Sequence, residues 1–150
     1  MRGYSKAKSL QADLDEQVQA TADMQDARDK AIALRGWSRI KLKMGERPDI
    51  DRVHAVRDVF DGLLAVDGNG AWADEDAPRI LRALADAGVD LVEQPIAPGR
   101  HDALRRISAD SPIPVIADED CFGPDAVLAL HGCVQGVNIK LLKCGGLRPR

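Results

Sequence analysis

The sequence predicts an α/β fold of about five strand–helix units around a parallel sheet, and three observations carry that prediction. From about Asp23 onward, helical patterns alternate with short β-rich runs. The alternation repeats at about 25 residues, too long for a small solenoid and right for a strand followed by a full helix. Three successive β-rich runs each end in a carboxylate, at Asp67, Glu93 and Asp118. A doubly wound sheet and a (β/α) barrel both suit the period. Closing a barrel takes eight strands and about 250 residues, so a barrel here would be only part of one.

The elements follow in order. The expected strands are Arg39–Met44, Leu64–Asp67, Leu91–Glu93, Val115–Asp118 and Val137–Leu141, and the expected helices are Met24–Leu34, Asp49–Phe60, Ala73–Ala87, His101–Ala109 and Pro124–Leu130. Asp74, Glu75 and Asp76 crowd the start of the third helix, where acidic groups suit the positive end of the helix dipole, and Gly88 follows its end. Pro112 and Pro114 break the chain before the fourth strand. The pair Gly145-Gly146 marks a turn after the fifth and lacks the glycine spacing of a phosphate-binding loop.

At 150 residues, with 45% hydrophobic and 30% charged residues, the chain has the size and composition of one soluble globular domain. A net charge of −3 gives no electrostatic reason to expect nucleic acid. No apolar run approaches the roughly 20 residues that cross a bilayer. A small-molecule substrate is expected, with homo-oligomers possible. Cys121, Cys133 and Cys144 have neither zinc-site nor disulfide-framework spacing, so a reducing cytoplasm is the default location. Residues 1–21 read as a polar extension without the apolar stretch of an export signal, and residues 22–150 as the domain.

Successive strand residues face opposite sides of a sheet. In Arg39-Ile40-Lys41-Leu42-Lys43 the two lysines therefore share one face, a pattern that an ordinary wet strand face also gives. The next strands add to it. By the same alternation Val66, Val92 and Ala117 face the covering helices, and Asp67, Glu93 and Asp118 all point the other way. The acids lie 26 and 25 residues apart, one strand–helix unit each. A single such acid could be a turn residue, as Asp67 before Gly68 and Asn69 could be. Three in register converge at the carboxyl-terminal edge of the sheet, where barrel active sites lie. Packed together they would raise one another's pKa unless a cation balanced them, and hard oxygen ligands favour Mg²⁺, with Mn²⁺ possible. His54, His101 and His131 are expected at the surface. In the fifth strand Asn138 and Lys140 take the same face as the acids, while Lys143 falls on the other phase and is expected to be solvated.

The order Lys-x-Lys, Asp, Glu, Asp, Lys along consecutive strands resembles the enolase superfamily in its muconate lactonizing branch. The local text KLKMG, DGNGAW, VEQP, SPIPVIADED and GVNIKLLKCGG is most similar to dipeptide epimerases of the L-Ala-D/L-Glu type, over about residues 22–147. The resemblance implies a partial TIM-like (β/α) barrel without the family's capping domain and last strands. It also implies Mg²⁺ held by Asp67, Glu93 and Asp118, with Lys43 and Lys140 as opposed acid/base lysines and Lys41 as the first lysine of Lys-x-Lys. Asp120 stands where that family commonly has serine, which adds a negative charge near the site.

The activity so implied is epimerisation of a dipeptide such as L-Ala-L-Glu by removal of the proton next to a carboxylate through an enolate. A base lysine must be neutral for this. At ~6 Å and an effective dielectric of about 20, Lys41 and Lys43 repel by roughly 2.8 kcal/mol, about two pK units, so a lowered lysine pKa is expected, opposed by the acids. Reactions of the o-succinylbenzoate synthase or muconate cycloisomerase type would use the same residues. A reading from another class is an inactive remnant or binding fragment with open strand edges.

Overall fold

A computed structural model describes residues 23–45, 49–140 and 143. The expected extension at 1–21 and the glycine turn at 145–146 lie outside the described residues. Helix α1 covers residues 23–33, followed by β1 (Arg39–Lys43), α2 (Ile50–Arg57), β2 (Leu63–Asp67), α3 (Ala77–Asp86), β3 (Leu91–Glu93), α4 (His101–Ala109), β4 (Val115–Ala117), α5 (Pro124–Ala129) and β5 (Gly136–Val137). The strands form one sheet in the order β1-β2-β3-β4-β5, every neighbouring pair parallel. A doubly wound sheet reverses its strand order at a switch point. This one does not, so the fold is the partial-barrel alternative, an arc with β1 and β5 as unjoined edges.

The register fixes which side chains share a face. Lys43 pairs with Asp67, Asp67 with Glu93, and Glu93 with Ile116. On the helix-facing side Leu64, Val66, Val92, Val115 and Ala117 have no exposed surface, covered by Val53 and Val56 of α2, Leu81 and Leu84 of α3 and Leu104 of α4 in one core. Alternation thus places Lys41, Asp67 and Glu93 on the inner face of the arc, as the sequence phase requires.

Several boundaries differ from expectation. Helix α3 begins at Ala77 after a turn over residues 74–76, with Pro78 in its first turn, where a missing N–H is tolerated. It ends as expected at Gly88, whose φ of 84° lets the Val89 N–H reach back to the Leu84 carbonyl. Strand β5 stops at Val137, so the expected run to Leu141 is not one strand; Leu141 itself lies outside the described residues.

At the amino-terminal edge of the sheet Arg57 acts as a staple. Its guanidinium donates to the carbonyls of Phe60, Gly62 and Gly88 and to Asp90, and Asp90 in turn accepts the Leu64 N–H. Among the described residues no helix is long and apolar enough to cross a membrane.

Candidate functional site

The three acids end adjacent strands and are buried, at 3% exposure for Asp67, 5% for Glu93 and 2% for Asp118. Asp67 closes β2, and its Oδ1 also accepts the Asn69 N–H at 3.1 Å, so it serves as a turn residue as well as a sheet-face acid. Glu93 closes β3. Asp118 lies just past the end of β4, the strand next to the one that Glu93 closes.

Ammonium groups interleave with them. Lys41 Nζ lies 2.8 Å from Glu93 Oε2 and 3.2 Å from Asp67 Oδ2. Lys43, one residue pair nearer the rim, is 3.9 Å from Asp67 Oδ2 and 3.4 Å from Asn69 Oδ1, its side chain 73% exposed. On the far side Lys140 donates to Asp118 Oδ2, and Asn138 Nδ2 donates to Glu93 Oε1 at 2.7 Å. Lys43 and Lys140 thus stand at opposite ends of the acid row, as the strand order demands.

Burial alone would raise the Asp118 pKa, but the ammonium groups of Lys140 and Lys143 on its oxygens hold it down to about 2. Lys140 is raised, chiefly by Asp118. Lys41 corrects an expectation. Burial pulls its pKa down, yet the bonds to Glu93 and Asp67 outweigh that and leave it raised. Lysine–lysine repulsion loses here because the carboxylates are within 3.2 Å of the ammonium.

The donor chemistry fits a hard divalent cation: three buried carboxylates, no thiolate or imidazole among them, and positive groups already drawn onto their oxygens. Next to Asp118, Glu119 Oε2 is buried with no hydrogen-bond partner, within electrostatic reach of Lys140. Among the described residues no three His, Cys, Asp or Glu side chains are gathered closely enough to hold an ion as they stand. Lysines occupy the intervening space. A cleft of about 340 Å³ opens beside β1, lined by Lys41, Lys43, Arg52 and α1 residues. It reaches the lysines from the open strand edge, and none of the three acids lines it.

Other placements differ from the sequence reading. Lys143, expected to be solvated, has Nζ 3.1 Å from Asp118 Oδ1, because the chain has left the strand after Val137 and alternation no longer applies. Asp120 is 3% exposed and turned toward the loop before α4, accepting the Gly99 N–H at 2.7 Å, and it meets the acid row through Gln94. His101, expected at the surface, is half-buried with Nε2 3.1 Å from Asp120 Oδ1; His54 and His131 are exposed as expected. Gln94, part of the VEQP text but given no role there, is fully buried at the centre of this loop cluster. Only its place beside Glu93 could have pointed to it.

The family described as enolase C-terminal domain-like matches residues 23–149. The chain is 39% identical over 118 residues to a hydrophobic dipeptide epimerase of Enterococcus faecalis, covering 75% of this chain and 33% of that protein. Among solved structures, the Enterococcus faecalis dipeptide epimerase complexed with Mg and the dipeptide L-Leu-L-Tyr superposes with a TM-score of 0.71 at 36% identity, over 82% of this chain and 36% of that one. Muconate cycloisomerase of Pseudomonas fluorescens superposes with a TM-score of 0.72 at 32% identity, over 85% and 37%. The chain therefore spans about a third of the length of these relatives.

Proposed function

The chain belongs to the enolase C-terminal domain-like family, and from that premise we propose that it carries the catalytic portion of a Mg²⁺-dependent dipeptide epimerase. Asp67, Glu93 and Asp118 would hold the metal. When bound, Mg²⁺ supplies positive charge against the substrate carboxylate as negative charge develops there, which is what makes the adjacent proton removable. The observation that carries the reading is the position of Lys43 and Lys140 at opposite ends of the acid row.

Two opposed lysines suit inversion. One takes the proton from one face of the substrate carbon and the other returns a proton to the far face; in the reverse direction they exchange roles. Lys140, kept protonated by Asp118, suits the donor role first. Lys43, at the other end of the acid row, takes the acceptor role in that direction. Lys41 sits on Glu93 and Asp67 and spaces the acids. A dipeptide substrate is supported by the Enterococcus faecalis relative, which is named a dipeptide epimerase.

The test places residues 23–149 in the matching segment of the Enterococcus faecalis epimerase and follows α-proton exchange of dipeptides, L-Ala-L-Glu and L-Leu-L-Tyr among them, in D₂O by NMR. Exchange is expected, with Lys43→Ala and Lys140→Ala each abolishing it from one epimer. Unchanged exchange in both variants removes the mechanism. Turnover of muconate with no dipeptide exchange would select cycloisomerisation, the activity named for the Pseudomonas relative.

A further inference from the structure

Gln94 follows Glu93 directly and takes a left-handed backbone, φ 38°, that side-chain-bearing residues rarely adopt. Its backbone is still fully paired: the N–H donates to the Ile116 carbonyl at 2.8 Å and the carbonyl accepts the Gly70 N–H at 2.7 Å. The side chain is equally engaged. Gln94 Oε1 accepts the N–H of Asp118 at 2.9 Å and that of Asp120 at 3.4 Å. Gln94 Nε2 donates to Asp120 Oδ2 at 2.8 Å and to the Ile96 carbonyl at 3.0 Å. A carboxamide has two donor hydrogens and two acceptor lone pairs, and all four are used.

This matters because Asp118 stands outside the strand ladder. Strand β4 ends at Ala117, so the Asp118 N–H is held by Gln94 Oε1 in place of a strand neighbour. One residue thus carries the position of Glu93 through its backbone and that of Asp118 through its side chain. Asp120 completes the clamp: besides Gln94 it takes the Gly99 N–H and lies beside His101, tying the loop after β3 to the loop after β4. A serine there would have one oxygen where Asp120 uses two.

We propose that Gln94, clamped by Asp120, is a positioning residue that sets Asp118 beside Glu93 for divalent-cation binding. This rests on the reading above that these acids hold the cation. Partners one step behind metal ligands commonly change affinity by about 10- to 100-fold when altered.

The probe is Mn²⁺, titrated against the 150-residue chain with free ion read by EPR, together with amide hydrogen exchange at Asp118. Gln94→Glu keeps the acceptor oxygens but turns the donor facing Asp120 into an anion. It is expected to weaken Mn²⁺ binding at least about tenfold and to speed Asp118 exchange. Adding Asp120→Asn restores a donor to that contact and should bring both readings back to within about threefold of the parent. Parent-like affinity in Gln94→Glu, or equal loss in the single and double variants, overturns the proposal, since a merely structural role would not be repaired by exchanging the charges. If the parent chain itself binds no Mn²⁺, the ligand assignment fails instead. Asp118 exchange then decides the clamp: acceleration repaired in the double variant supports it, and unchanged exchange overturns it. If Gln94→Glu does not fold, the double variant is read alone, with parent-like affinity supporting the proposal and weakened affinity overturning it.

Discussion

Lys41 Nζ lies 2.8 Å from Glu93 Oε2, a pair 52 residues apart in the chain and joined by the parallel register of three strands. The same ammonium reaches Asp67, so one cation spans two of the proposed ligands. Lys41 and a metal would therefore compete for the same oxygens. Lys41→Met should lower the stability of the metal-free chain by about 1–2 kcal/mol, less than for a fully buried pair because Lys41 is partly exposed. Saturating Mg²⁺ should then stabilise the variant more than the parent, with a midpoint at lower concentration. Thermal melts across a Mg²⁺ series measure both, and an unchanged or higher Mg²⁺ midpoint would count against shared ligands.

Acid stability follows from Asp118. Its pKa is depressed from 3.8 to about 2, so its contribution is fully present above about pH 4 and disappears as pH falls through its folded value near 2. Urea midpoints in metal-free buffer should fall across that window in the parent. Asp118→Asn should be less stable at pH 6 and lose less between about pH 4 and 2. Parallel curves for the two proteins would place the acid-sensitive group elsewhere.

Close approach of two loops sets the next expectation. A Cβ on Gly68 would stand 2.9 Å from the Gln94 carbonyl oxygen and 3.1 Å from Pro95 Cα, both backbone atoms that cannot swing aside. The Gly68 N–H also donates to the Glu93 carbonyl at 2.9 Å, so the displaced segment carries a proposed ligand. Gly68→Ala should cost about 1–3 kcal/mol and also weaken Mn²⁺ binding. Calorimetry and EPR on the same sample separate the effects; lost stability with unchanged Mn²⁺ affinity would show that the Glu93 segment tolerates the shift.

Much of this geometry was legible because it depends on alternation along short strands. Asp67 and Glu93 share a face with Lys41 and Lys43 by that rule alone, and Val66 and Val92 are buried by its converse. Alternation fails where the chain leaves the ladder. Lys143 escapes the rule because β5 ends at Val137, and its ammonium meets Asp118. Asp120 and Gln94 were opaque for a related reason. Their roles depend on a left-handed residue at the end of β3, and glutamine gives no sequence signal for that conformation. Strand order is not legible from a 25-residue period, which serves doubly wound sheets and barrels alike. Only the local text, through the family resemblance, points to the barrel.

The opposite edge of the sheet offers a control. Arg57 donates to three carbonyls and Asp90, joining the loop after α2 to the loop after α3, and touches none of the acids. In barrels the amino-terminal face carries stability and the carboxyl-terminal face carries chemistry. Arg57→Met leaves several acceptors unpaired and should cost about 2–4 kcal/mol. The folded fraction should nevertheless bind Mn²⁺ with the parent's affinity, because the register of β2 against β3 is also held by their own ladder. Urea denaturation gives the first quantity and EPR titration the second. A large change in Mn²⁺ affinity would mean that the two ends of the sheet are coupled and that the acids depend on more than the strands that carry them.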